Sequence, residues 1–215
     1  MSYPGMQPLN FRDRQTVCQF AGEIFFRRFA FTFAPHSSRK CQTLSTRNYS
    51  YTVIMAATNT QASELITELD SLVSKATSAD ALMRAIVALL HEKLTRYNWV
   101  GFYMIEKEID RNMLVLGPFK GTMTPHTRIP LNQGICGAAA SSGRTVIVDD
   151  VNKDSRYLAC SLETKSEIVV PVFAKGKVVG ELDIDSHFLA AFGPEDRKLC
   201  EHAAVVLGKY LEAHS

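Results

Sequence analysis

Two runs near the C-terminal end, Glu167–Phe173 and Lys177–Asp185, constrain the fold more than any other part of this chain. Both are rich in Val and Ile, and Lys175-Gly176 between them suits a two-residue turn, so they predict a β-hairpin. Asp183 and Asp185 stand at i and i+2. On a strand they share one face, while Leu182 and Ile184 take the other. Glu167 adds a third carboxylate from the neighbouring strand. Like charges side by side on a sheet face cost stability unless a cation comes to meet them. With Cys160 just upstream, the arrangement points to sulfur chemistry on a small cationic ligand.

The rest of the chain supports one α+β domain preceded by an extension. At 215 residues, 46% of them hydrophobic, it has ample apolar content for one core. The net charge of +2 is unevenly spread: residues 1–54 carry about +5, leaving about −3 for 55–215. The basic excess therefore belongs to the extension and gives no reason for the folded part to bind nucleic acid. Residues 1–54 are rich in Arg and Ser and lack periodicity. They fit a transit peptide equally as well as an upstream extension whose true start is Met55. The patterned domain is expected over 55–215, in the cytoplasm, or in mitochondria if the leader is genuine. Five cysteines occur without a CxxC pair, which argues against a disulfide scaffold. No apolar run reaches the ~18 residues that a membrane span needs.

Periodicity predicts amphipathic helices over roughly 61–75 and 79–96, carried by Leu65, Leu69 and Leu72, then by Leu82, Ile86 and Leu89. Asn98–Ile105 follows as a strand with Val100, Phe102 and Met104 on one face and Trp99, Gly101 and Tyr103 on the other. Met113–Leu116 and Thr145–Val148 are further strands, and 134–140 is a small-residue helix ended by Gly143. Pro194-Glu195-Asp196 opens the last helix, with Pro at N1 and acids in its first turn. Helices flanking an antiparallel sheet make the α+β class.

Several segments in order (Asn98-Trp99-Val100-Gly101-Phe102-Tyr103, Arg128-Ile129-Pro130, Gly134-Ile135-Cys136-Gly137, Leu158-Ala159-Cys160, Ser166–Pro171 and Leu182–Ser186) resemble the free methionine-(R)-sulfoxide reductases, which are stand-alone GAF domains. The likeness covers roughly 61–213. It implies reduction of free L-methionine-R-sulfoxide with no cofactor, the oxidising equivalents passing through enzyme cysteines to thioredoxin or another thiol. It also implies that Cys160 attacks the substrate, and that Trp99, Tyr103, Glu167, Asp183 and Asp185 line the pocket. One position departs from the family: its further cysteine, ten residues before Cys136, is His126 here.

Each of these residues also has a plainer reading. A cysteine is commonly a small buried apolar side chain, but Cys160 is flanked by polar stretches. Cys136, at a helix start, suits either a dipole-assisted thiolate or tight packing. The three acids could be a solvated sheet face, yet aromatic walls closing on an acidic end describe an amino-acid pocket. His126 is either a loop residue or an acid–base aid to Cys160. Cys200, among Leu199, Ala203 and Leu207, belongs to the core. No tight His and Cys spacing predicts a metal. The leading expectation is the reductase, with Cys160 and Cys136 as catalytic thiols. Its rivals are a GAF sensor that kept the amino-acid pocket and a structural domain that forms homodimers through its outer helices.

Overall fold

The computed structural model describes residues 61–159 and 161–214. The extension over 1–54, and with it the choice between Met1 and Met55 as the start, lies outside them. The element order is α1 (61–73), α2 (Ala79–Lys93), β1 (Trp99–Lys107), β2 (Asn112–Lys120), β3 (Arg128–Pro130), α3 (Gly134–Ser142), β4 (Val146–Val148), β5 (Ser166–Ala174), β6 (Lys177–Ser186) and α4 (Pro194–Ala213). The six strands form one antiparallel sheet in the order β3-β2-β1-β6-β5-β4. The β5–β6 hairpin turns at Lys175 and Gly176, both at positive φ (49° and 71°), as a primed turn requires.

Alternation along the strands separates two cores. Val100, Phe102, Ile168, Val170, Leu182 and Ile184 meet Leu69, Ile86, Leu90 and Leu207 from the three long helices on one face. On the other face Trp99, Tyr103, Leu114 and Val169 pack against Ile135, Cys136, Ala139 and Ala140 of the short α3. The second face is thinly covered because α3 has nine residues and no large side chain beyond Ile135. This is the face that carries the acids.

The outer helices hold the sheet closely. Asp196 in the first turn of α4 accepts from Gly193 N–H at 2.9 Å and from Tyr97 Oη at 2.7 Å, tying the helix start to the segment entering β1. Further along, a Cβ built on Gly208 would lie 2.1 Å from the backbone oxygen of Phe173. Gly→Ala inside a helix ordinarily stabilises by about 1 kcal/mol. Here the neighbour is strand backbone, which cannot swing away. Gly208→Ala is expected to destabilise instead, by about 1–3 kcal/mol, lowering the thermal midpoint by several degrees. An unchanged or raised midpoint in a melting curve would contradict the close approach.

Differences from the sequence reading sit at element ends and at the sheet edge. Helix α2 stops at Lys93 rather than near 96, because Leu94 turns extended (φ −119°, ψ 91°) and lets Tyr97 enter the core. Strand β2 runs four residues past Leu116, to Lys120, and β4 begins at Val146. The three-residue β3 at the edge is too short for alternation to reveal, and its last residue is Pro130. Among the described residues no helix is long and apolar enough to cross a membrane.

Candidate functional site

Strand register builds the site as a grid. On the α3 face of β6 the side chains are Glu181, Asp183 and Asp185, and directly opposite them on β1 stand Tyr103, Gly101 and Trp99. On the other flank β5 sets Glu167 opposite Asp185 and Val169 opposite Asp183. Gly101 is required at the centre: a Cβ there would lie 2.3 Å from the Trp99 ring, which lies across it. The ring stacks on Phe119 at 5.6 Å between centroids and lies 6.2 Å from that of Tyr103. An aromatic wall thus stands beside a column of acids.

The polar tips of these aromatics hold up a loop. Trp99 Nε1 donates to the carbonyl of Thr122 at 3.0 Å, and Tyr103 Oη donates to that of His126 at 2.8 Å. His126 N–H donates to Thr124 Oγ1 at 3.1 Å, and the His126 Nε2 lies 3.3 Å from the carbonyl oxygen of Ala159. The imidazole therefore bridges this loop to the residue before Cys160. Cys160 itself lies outside the described residues.

From above, α3 lowers Cys136 onto the acids. Its Sγ is 3.5 Å from Asp183 Oδ2 and 3.8 Å from Glu167 Oε1, within the reach of weak S–H···O bonds. Of the candidate side chains, Trp99, Tyr103, Cys136, Glu167, Asp183 and Asp185 are all buried together on this face. Glu181 is the residue that sequence reasoning missed. It has no exposed surface, and its place two residues before Asp183 in the same alternation was the available signal. Cys200 is buried in the opposite core, where burial pushes its thiol up to about 12.

Four carboxyl groups in so small a buried volume cannot all ionise cheaply. Burial, then the charges of Asp183, Asp185 and Glu181, holds Glu167 well above the usual carboxylate range. Burial followed by the Asp183 charge does the same to Glu181 and to Asp185. Burial brings Asp183 to about 7. Both oxygens of Glu181 and the Oδ1 atoms of Asp183 and Asp185 are buried without a hydrogen-bond partner, a demand that an incoming cation or donor would satisfy.

These raised values fix the sign of a pH dependence. The folded protein keeps protons that the unfolded chain releases near pH 4, the ordinary carboxyl value. The resulting stabilisation is fully present below about pH 4 and is lost as pH rises through the folded-state values, about 7 for Asp183. Asp150, Asp154 and Glu201 are shifted downward, so their opposite contribution is lost only on acidification below their ordinary values. The thermal midpoint of the ligand-free protein is expected to fall by several degrees between about pH 5 and 8. A flat or rising profile over that range would show that the acids are solvated.

A small cavity opens at one end of the acidic column, beside Trp99 and Asp185. It measures about 20 Å³ and is bounded in part by Asn98, Trp99, Thr124, Asp185 and His187, room for about one water. A larger hollow of about 600 Å³ lies at the β1–β2 turn, walled by Lys107 to Arg111. It lacks any buried acid or aromatic side chain and offers no comparable chemistry.

Comparison with known proteins identifies the family of this fold. Residues 78–211 match the GAF domain family. The chain is 36% identical to the free methionine-R-sulfoxide reductase of Escherichia coli (strain K12) over 148 residues, covering 69% of this chain and 87% of that one. It is 42% identical over 113 residues to the protein of the same name from Saccharomyces cerevisiae, covering 52% and 62%. The crystal structure of free methionine-R-sulfoxide reductase from Neisseria meningitidis in complex with its substrate superposes with a TM-score of 0.66 at 39% identity, covering 71% of this chain and 89% of that one. The chain belongs to the GAF domain family and, within it, to the free methionine-R-sulfoxide reductases.

Proposed function

We propose that this protein reduces free L-methionine-(R)-S-oxide to methionine through a cysteine thiolate. The observation that carries the reading is the aromatic wall of Trp99 and Tyr103 closing on buried Glu167, Asp183 and Asp185 beside Cys136. The acids take the substrate ammonium, which fits their unsatisfied oxygens, and the indole packs on the methylene and S-methyl groups of the side chain. The cavity is too small for an amino acid, so the loop that Trp99 and Tyr103 support, or the segment around Ser161, moves to admit one.

Cys160 is the proposed nucleophile, on the resemblance in the Leu158-Ala159-Cys160 segment. Its thiolate forms a bond to the sulfoxide sulfur while a carboxyl group of the cluster protonates the oxygen. The bond from Cys160 to the methionine sulfur and the S–O bond then both break as the hydroxyl passes to Cys160 as a sulfenic acid, and methionine leaves with one electron pair restored to its sulfur. A second thiol condenses with it, releasing water and leaving a disulfide. Cys136 or an external thiol, thioredoxin among them, fills that role, and reduction of the disulfide completes the cycle. His126 occupies the position of the family's further cysteine and steadies the segment before Cys160 through the Ala159 carbonyl.

The test is incubation of the full chain with dithiothreitol and each epimer of free methionine sulfoxide. Methionine should appear from the R epimer alone, and peptide-bound sulfoxide should remain. Intact binding of the R epimer without methionine would replace the enzyme with the second reading, a GAF sensor that kept its pocket. His126 in place of a thiol is the observation favouring that alternative. Thioredoxin-dependent turnover gained by His126→Cys would identify resolution as the step this chain lacks.

A further inference from the structure

The acidic column is built to take more than an ammonium. We propose that Cys136 Sγ, Glu167 Oε1 and Asp183 Oδ2 form a binding site for a borderline-soft divalent cation of the zinc class, and that its capture blocks the substrate pocket. The inhibitory part rests on the proposed function; the binding part does not.

Spacing is the first argument. The three ligand atoms lie within 4.8 Å of one another. Sγ is 3.5 Å from Asp183 Oδ2 and 3.8 Å from Glu167 Oε1. A tetrahedral zinc ion with bonds of about 2.3 Å to sulfur and about 2.0 Å to oxygen sets its S···O edges at about 3.5 Å. The two edges that share the sulfur thus have nearly the required length before any ion arrives. Strands β5 and β6 and helix α3 each fix one ligand, so rigid elements rather than loops set the geometry.

A second, independent observation points the same way. Asp183 Oδ1 and Asp185 Oδ1, as well as both oxygens of Glu181, are buried and have no hydrogen-bond partner. Asp185 stands opposite Glu167 across the β5–β6 ladder and adds negative charge beside the site, with a water as the fourth ligand. The remaining carboxyl groups supply negative charge around the ion, compensation that a monovalent ammonium meets only in part.

Ligand chemistry selects the ion. A thiolate with two carboxylates suits zinc and its borderline neighbours. Calcium asks for six to eight oxygens and magnesium for a near-octahedral set that keeps several waters, and neither favours the thiolate of Cys136. Binding breaks the S–H bond of Cys136 and the O–H bonds of the ligating carboxyl groups that are protonated, forms the metal–sulfur and metal–oxygen bonds and releases those protons to solvent. No redox change is involved. The ion would occupy the acids that receive the substrate ammonium, so inhibition should be competitive with substrate.

The test uses the full chain, reduced with dithiothreitol and then freed of it anaerobically, and Co²⁺ as the probe. One equivalent should produce a thiolate-to-cobalt charge-transfer band in the near ultraviolet together with the visible bands of a four-coordinate ion, and zinc should bleach both. Cys136→Ser should abolish the charge-transfer band, and Asp183→Asn should weaken cobalt binding at least about tenfold. Cys160→Ser and Cys200→Ser should keep the band. Circular dichroism establishes that each variant is folded. Retention of the band in folded Cys136→Ser, or its loss in Cys160→Ser instead, would overturn the assignment. So would absence of the band in wild type whose Cys136 still reacts with a thiol reagent. Methionine formation by metal-free protein is scored separately, so failure of the reductase reading leaves this outcome legible.

Discussion

Cys160→Ser is expected to remove methionine formation, by at least about 10³-fold and down to the rate of dithiothreitol alone. A serine hydroxyl is far less acidic than a thiol, and its oxygen cannot make the sulfur–sulfur bond that closes the cycle. Cys200→Ser should leave the rate within about twofold. Cys200 is fully buried in the helical core, its Sγ lies 3.6 Å from Tyr97 Oη, and burial pushes its thiol up to about 12. It has neither access nor a thiolate to offer. Cys136→Ser separates the chemical step from resolution. If Cys136 is the second thiol, the variant should still release one methionine per chain in a rapid burst and then turn over slowly. Activity surviving in Cys160→Ser would move the nucleophile, with Cys136 as the next candidate because its Sγ already faces Asp183 and Glu167.

How much of this was legible beforehand depended on period and length. The faces of β1 followed from strict alternation: Val100 and Phe102 fall in the helical core, and Trp99 and Tyr103 in the other. The hairpin was legible because its turn residues have one favoured geometry. Three things were not. Strand β3 spans three residues, fewer than one alternation needs to declare itself. The exit of α2 at Leu94 was set by the burial of Tyr97, a tertiary gain that local propensity does not encode. Glu181 lay in plain view within the pattern, but a carboxylate after Gly180 on a hairpin strand also reads as solvated strand surface. Only the pairing of β6 with β1 and the cover from α3 show that it is fully buried. The distances from Cys136 to the acids join α3 to strands β5 and β6, 31 and 47 residues further along. No spacing rule on a single sequence reaches across such loops.

Asp183→Asn should move activity and stability in opposite directions. Asp183 is the centre of the grid, opposite Gly101 on one side and Val169 on the other, with Asp185 and Glu181 on its own strand. Its Oδ2 also lies closer to the Cys136 thiol than Glu167 Oε1 does, 3.5 against 3.8 Å. Removing one member of a buried charge pair costs about 2–5 kcal/mol once the partner is bound. The substrate's ammonium would lose its central counter-charge, so kcat/KM should fall by about 10²- to 10³-fold. The ligand-free fold should gain, because an amide needs no proton to remain buried and ceases to repel Glu167, Glu181 and Asp185. All three are held above their ordinary values, and Asp183 contributes to each. The thermal midpoint at pH 8 should therefore rise by a few degrees, and its decline between about pH 5 and 8 should flatten. Substrate should stabilise the wild type strongly and the variant weakly, since ligand linkage scales with affinity. A variant that lost activity and thermal midpoint together would mark Asp183 as a structural strut; a rise in one with a collapse of the other would show a carboxylate kept for its ligand at the expense of the empty fold.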